Sequence, residues 1–193
     1  MRLSVNGDNL AARLETAGYH LRTTRDLDAA KNYSGVRYAE APEARYGLAA
    51  SSRDTILAEW GSPNDYRSTK VMRLGPWYGE GEESHRSCRH LNECVTELGA
   101  QGLELDGMPL AWGNDLIWEE GAGAEGAPGA WSNARAKRHA RSAHVRDPFQ
   151  LRVNAYRVLL TRGRDGAVIF VPPLAELDAT AARCRGMGVK VPG

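Results

Sequence analysis

Asn154-Ala-Tyr-Arg-Val-Leu-Leu-Thr-Arg-Gly-Arg164 is the stretch from which the fold can be read. Just upstream, Asp147-Pro148 supplies a capping carboxylate and then a residue whose φ already suits a first helical turn. Phe149, Val153, Tyr156 and Leu160 recur on one helical face, and Leu151, Ala155 and Val158 form a second apolar face roughly opposite. A helix apolar on two sides is held between two bodies. Arg162 continues the second face. An arginine there needs a route to water, a carboxylate partner or an anionic ligand such as phosphate, because an unpaired buried charge is costly. Spacing leaves these alternatives open. Gly163 is expected to end the helix, and Ala167-Val-Ile-Phe-Val171 reads as a buried strand closed by Pro172-Pro173.

Working outward, 193 residues suffice for one domain with a sizeable core. The formal charge of +1 gives no global basic field to announce a nucleic-acid partner. Three cysteines without a framework spacing suit a reducing compartment, so a cytoplasmic location is expected. No long apolar run or signal-peptide pattern is present, and no membrane partner is expected.

Asp8 to Ala17 reads as a short helix stopped by Gly18, and Tyr19 to Arg22 as a strand. Thr24-Arg-Asp-Leu-Asp28 carries a capping residue ahead of a helical pattern running through Tyr33. Arg45 to Ala50 is the next strand, followed by Ser51-Ser-Arg-Asp54 and a helix toward Trp60. This alternation predicts an α/β lobe with a mostly parallel sheet flanked by helices. Residues 61–92 are broken by Pro63, Gly75-Pro76 and Gly79, and read as an irregular excursion. His85, Cys88, His90 and Cys94 invite a zinc reading, but their spacing fits common zinc pairs poorly. Structural cysteines and surface histidines are expected, with no metal site. Cys94 to Leu98 reads as a strand, Gln101-Gly-Leu-Glu104 as a tight turn, and Met108 to Trp112 as another buried strand. Gly102 would let backbone N–H groups approach an anion, and Glu104 could accept from a ribose hydroxyl. Residues 120–146 combine a Gly/Ala-rich loop with the densest basic run, Arg135 to Arg146, which reads equally as a solvated face or a phosphate-tracking one. Leu174 to Met187 is expected to be a last helix, with Gly188 to Gly193 a tail.

Tyr156-Arg-Val-Leu-Leu-Thr-Arg162, Gln101-Gly-Leu-Glu-Leu-Asp106 and Trp112-Gly-Asn-Asp115, in that family's order, resemble the Schlafen group 3-like DNA/RNA helicase domain family, which is related to superfamily-1 helicases. The resemblance runs from about Gly18 to the C-terminus. It implies the second, C-terminal RecA-like lobe of an ATPase, spanning 1–193 as one domain. It further implies that Arg162 is the catalytic arginine finger, that Gln101, Gly102, Glu104 and Arg53 face the nucleotide, and that Thr96 lies beside the nucleic-acid path. Arg138 and Arg141 represent the basic run as strand contacts. ATP and Mg would bind only together with a first RecA-like lobe, in cis or in trans. The partner strand would be DNA or RNA. No lysine follows a glycine (the four are preceded by Ala30, Thr69, Ala136 and Val189), so the phosphate-binding loop pattern is absent. The chain alone is therefore expected to be inactive, and the alternative is a non-enzymatic binding module, or an inactive remnant, that keeps the lobe fold.

Overall fold

A computed structural model describes residues 10–121, 129–139, 144–187 and 189–192. The strands in chain order are β1 (His20–Thr24), β2 (Leu48–Ala50), β3 (Cys94–Thr96), β4 (Leu105–Ala111), β5 (Ile117–Glu119), β6 (Ala130–Ser132) and β7 (Gly163–Phe170). The helices are α1 (Leu10–Thr16), α2 (Leu27–Arg37), α3 (Tyr66–Val71), α4 (Leu74–Gly79), α5 (Pro148–Leu160) and α6 (Asp178–Gly186). Among the described residues, five strands form one parallel sheet in the order β1-β7-β4-β2-β3, and β5 and β6 pair as a separate antiparallel hairpin.

Side chains alternate across this sheet with the period of two that a strand imposes. Leu48, Ala50, Ala111, Val168 and Phe170 pack on one side with Ala30 of α2 and Leu57. Ala49, Leu110, Ile169 and Val171 pack on the other with Tyr156 and Leu159 of α5 and Ala181 of α6. Both faces are thus covered by helices, as a parallel sheet requires. This is the α/β arrangement expected of a RecA-like lobe.

The structure moves several boundaries. The cap of α2 is Asp26, which accepts from Asp28 N and Ala29 N, while Thr24 Oγ1 accepts from Asp26 N. The expected helix toward Trp60 is a single 3₁₀ turn, Leu57–Trp60. β3 ends at Thr96 and not Leu98, because Ala100 N turns back to Thr96 O at 2.8 Å. β4 begins earlier than Met108, and Gly163 opens β7 directly after the helix. In the 61–92 excursion, α4 buries Trp77 in the core beneath β2. Cys88 and Cys94 are buried while His85 and His90 are exposed, so the four do not converge. The tail also docks: Thr23 N donates to Lys190 O at 2.9 Å, continuing the sheet past β1. No helix among the described residues is long and apolar enough to cross a membrane.

Candidate nucleotide-facing edge and basic pocket

α5 ties the two ends of the sheet together. Asp147 accepts from Gln150 N at 2.8 Å and Pro148 fills the first turn, so the helix starts where the sequence placed it. It runs from the carboxyl ends of β2 and β3 to the amino end of β7. Its buried residues are Arg152, Ala155, Tyr156 and Leu159. The second apolar face is only half covered, since Leu151 is 43% exposed.

At the far end, the helix stops at Thr161 and Arg162 follows. Arg162 O accepts from Leu105 N at 3.0 Å, pinning the residue to the amino end of β4. Its guanidinium is half-buried and, among the described residues, donates only to carbonyls, Nε to Val158 O at 3.3 Å and Nη1 to Leu103 O at 3.4 Å. No carboxylate pairs with it among the described residues. The Gln101–Glu104 turn therefore lies against the Arg162 side chain. Gly102 adopts φ +82 within it, a left-handed conformation that a side chain resists, and the space beside it is open. Gln101, Gly102 and Glu104 are exposed. The turn is held from below by Tyr78 of α4, whose hydroxyl donates to Glu104 O at 2.8 Å. That contact gives the 73–78 segment a role its sequence did not disclose. Asp106, at the end of the same motif, accepts from Arg45 N at 2.7 Å and is a joint between strands.

The other end of α5 carries residues that sequence reasoning passed over. Arg152 is 4% exposed. It donates to Ser51 Oγ at 2.8 Å and Glu97 Oε1 at 2.6 Å, and lies 3.1 Å from Asp115 Oδ2. Asp115 also accepts from Ser51 and, at 2.6 Å, from Tyr156 OH. Burial pushes the Asp115 carboxyl up against the pull of these donors. Burial also raises Glu97, but the charge of Arg152 and the hydrogen bonds from Ser52 outweigh it and hold that group below its ordinary value. Tyr156 is raised well above the usual phenol range by burial and by Asp115.

The Trp112-Gly-Asn-Asp115 motif is the joint between this network and the loop leaving β2. A Cβ on Gly113 would stand 1.8 Å from Asp54 Oδ2, so glycine is obligatory there. Asp54 in turn accepts from Asn114 N at 2.6 Å and from Ile56 N and Leu57 N. The available signal was a charge at position 152 inside an apolar stripe, with Ala155 and Tyr156 at i+3 and i+4.

Arg53 is at this end too. Its carbonyl accepts from Lys137 N at 2.8 Å, and its Nη1 approaches Arg138 O at 3.5 Å. The structure thus joins Arg53 to Arg138 and separates both from Arg162. Along α5 the step from Arg152 to Arg162 is about 15 Å at the helical rise. Thr96 is buried at the end of β3. Arg141 lies outside the described residues.

A family model for the Schlafen group 3 DNA/RNA helicase domain matches residues 2–173. The chain belongs to that family. The match takes in α1, begins well before Gly18, and stops just after β7, so α6 and the docked tail lie beyond it. Within the matched span, helicase-domain membership supports a nucleic-acid-related, nucleotide-binding function. Neither a curated protein nor a solved structure matches the chain.

Proposed function

We propose that this member of the family acts as the second RecA-like lobe of a nucleic-acid-dependent ATPase of helicase type. In this reading Arg162 reaches the phosphates of ATP and Mg held by a first lobe, in cis or in trans. The observation that carries it is the Arg162 guanidinium, fixed beside the Gln101–Glu104 turn and donating only to carbonyls. A planar donor fork without a counter-charge suits a phosphoryl group that gains charge in the transition state. Glu104 is free to accept from a ribose hydroxyl, and the open, positive-φ backbone at Gly102 leaves room for close approach. The lysine-bearing phosphate loop is absent from the sequence, so the β- and γ-phosphate cradle must come from the other lobe.

The test is ATP turnover by the purified chain, alone and mixed with a family first lobe. The chain alone is expected to turn over no ATP. With the first lobe, Arg162→Ala should lower kcat by ~10³–10⁵, the range for arginine fingers. Glu104→Ala should chiefly raise KM, because a ribose contact is made equally in ground and transition states. A kcat for Arg162→Ala within threefold of wild type, with the fold intact, removes the catalytic assignment.

A further inference from the structure

Between the loop leaving β2, the segment 133–139 and the start of α5 lies a cavity of about 370 Å³. Arg53, Lys137, Arg138, His139 and His144 line it, with the buried Arg152, and no carboxylate does among the described residues. None of Arg53, Lys137 and Arg138 forms an ion pair among the described residues. Arg135, in the same basic run, is spent on Glu176 outside the cavity. Arg152 Nε is buried and has no acceptor among the described residues. The buried acids beneath the cavity are engaged, Glu97 by Ser52 and Arg152, Asp115 by Ser51, Tyr156 and Arg152, and Asp54 by three backbone N–H groups, while the exposed Asp147 beside Pro148 caps α5. Cations gathered without counter-charge, over a buried donor lacking an acceptor, call for an anion.

We infer that this cavity takes a phosphodiester of a single-stranded nucleic acid, with Arg53, Lys137 and Arg138 around the phosphate and Arg152 beneath it. The inference rests on the proposed lobe function only for the class of partner. A strand fits better than free phosphate because a second slot, about 190 Å³, shares Arg53, His139 and Arg152 and continues along α5. Its lining there mixes Glu97, Gln101 and Asn154 with Leu98, Leu151 and Val158, an apolar stretch for a sugar or base that inorganic phosphate would not use. The contacts inferred here are to the backbone phosphate, so binding is expected to be indifferent to sequence.

The experiment is fluorescence anisotropy of the full chain with a short labelled oligothymidylate and a labelled oligouridylate, between about 50 and 200 mM salt. Both probes should bind weakly, and Arg53→Ala and Arg138→Ala should each weaken binding about tenfold. Lys137→Ala should also lower the slope of log affinity against log salt by about one. Arg135→Ala should leave affinity unchanged, which a diffuse basic face would not. Competition by pyrophosphate as effective, per phosphate, as by the unlabelled strand identifies a free-phosphate site and overturns the strand assignment. Binding that survives all three pocket variants places the strand elsewhere, overturning the inference but leaving the lobe reading intact. Absence of binding to either probe overturns the inference, and the lobe reading then stands or falls on the Arg162 assay with a first lobe.

Discussion

Arg152→Met deprives Glu97 and Asp115 of the cation they share and leaves a stem of similar length in its place. Glu97 is 8% exposed and Asp115 is wholly buried, so neither can be rehydrated without opening the lobe. Removing one partner of a buried pair costs about 3–5 kcal/mol. Two carboxylates are orphaned here, which argues for the top of that range. The donors from Ser51, Ser52 and Tyr156 remain, which argues against exceeding it. Against a typical total of about 5–15 kcal/mol, that is a large share of the stability.

The pH dependence has a defined sign. Glu97 sits below its ordinary 4.5 in the native protein, so its contribution is complete above that value and is lost as pH falls through the depressed one. Asp115, raised above 3.8 by burial, runs the other way: the native state holds its proton, and stability from this group declines as pH rises through that window. Without Arg152 both groups titrate upward. The unfolded variant then releases protons that the native variant keeps, and the deficit grows as pH rises from about 4 to neutrality. Urea denaturation followed by circular dichroism at those two limits reads the difference. A deficit below about 1 kcal/mol at neutral pH, or one that does not change with pH, would refute the account of Arg152 as the counter-charge of this network.

Gly113→Ala drives a methyl into Asp54 and disturbs the carboxylate that caps the turn at Leu57. A loss of about 1–3 kcal/mol is expected from overpacking, read as a lowered urea midpoint, and a midpoint unchanged from wild type would mean that the loop yields freely. The three cysteines are free and buried, and burial raises their thiols, that of Cys184 to about 11. Dithionitrobenzoate at about pH 8 should titrate none in the native protein and all of them in denaturant. Fast native reaction at any one would contradict its placement.

The parts of the fold legible in the sequence are those where periodicity and local chemistry agree. The capped start of α5, the apolar run of β7 and the alternation of helix and strand all satisfy one rule at a time. The resemblance names the Gln101–Glu104 turn and Arg162 together, and in the structure the turn does meet the Arg162 side chain. What stayed hidden depends on residues distant in sequence. Ser51, Glu97, Asp115 and Arg152 come from four separate segments, and apart from Arg152, a charge within an apolar stripe, each reads locally as a solvent-facing polar residue. The hairpin of β5 and β6 was hidden because three-residue strands carry no period. Arg53 was assigned from its strand end and from the resemblance, and neither specifies which end of α5 it sits beside.

β7 lies inside the sheet, between β1 on one side and β4 on the other. β1 lies far from β7 in sequence, and β7 is its only strand partner among the described residues, with Lys190 bridging its outer edge. A nascent chain therefore carries β1 without this pairing until β7 has left the ribosome. Pairings of such sequence separation form slowly and leave strand edges exposed to association in the interval. The segment that completes the sheet is also the one that delivers Arg162 to its place. Biogenesis of the fold is thereby ordered: Arg162 reaches its place beside the Gln101–Glu104 turn only as the sheet closes.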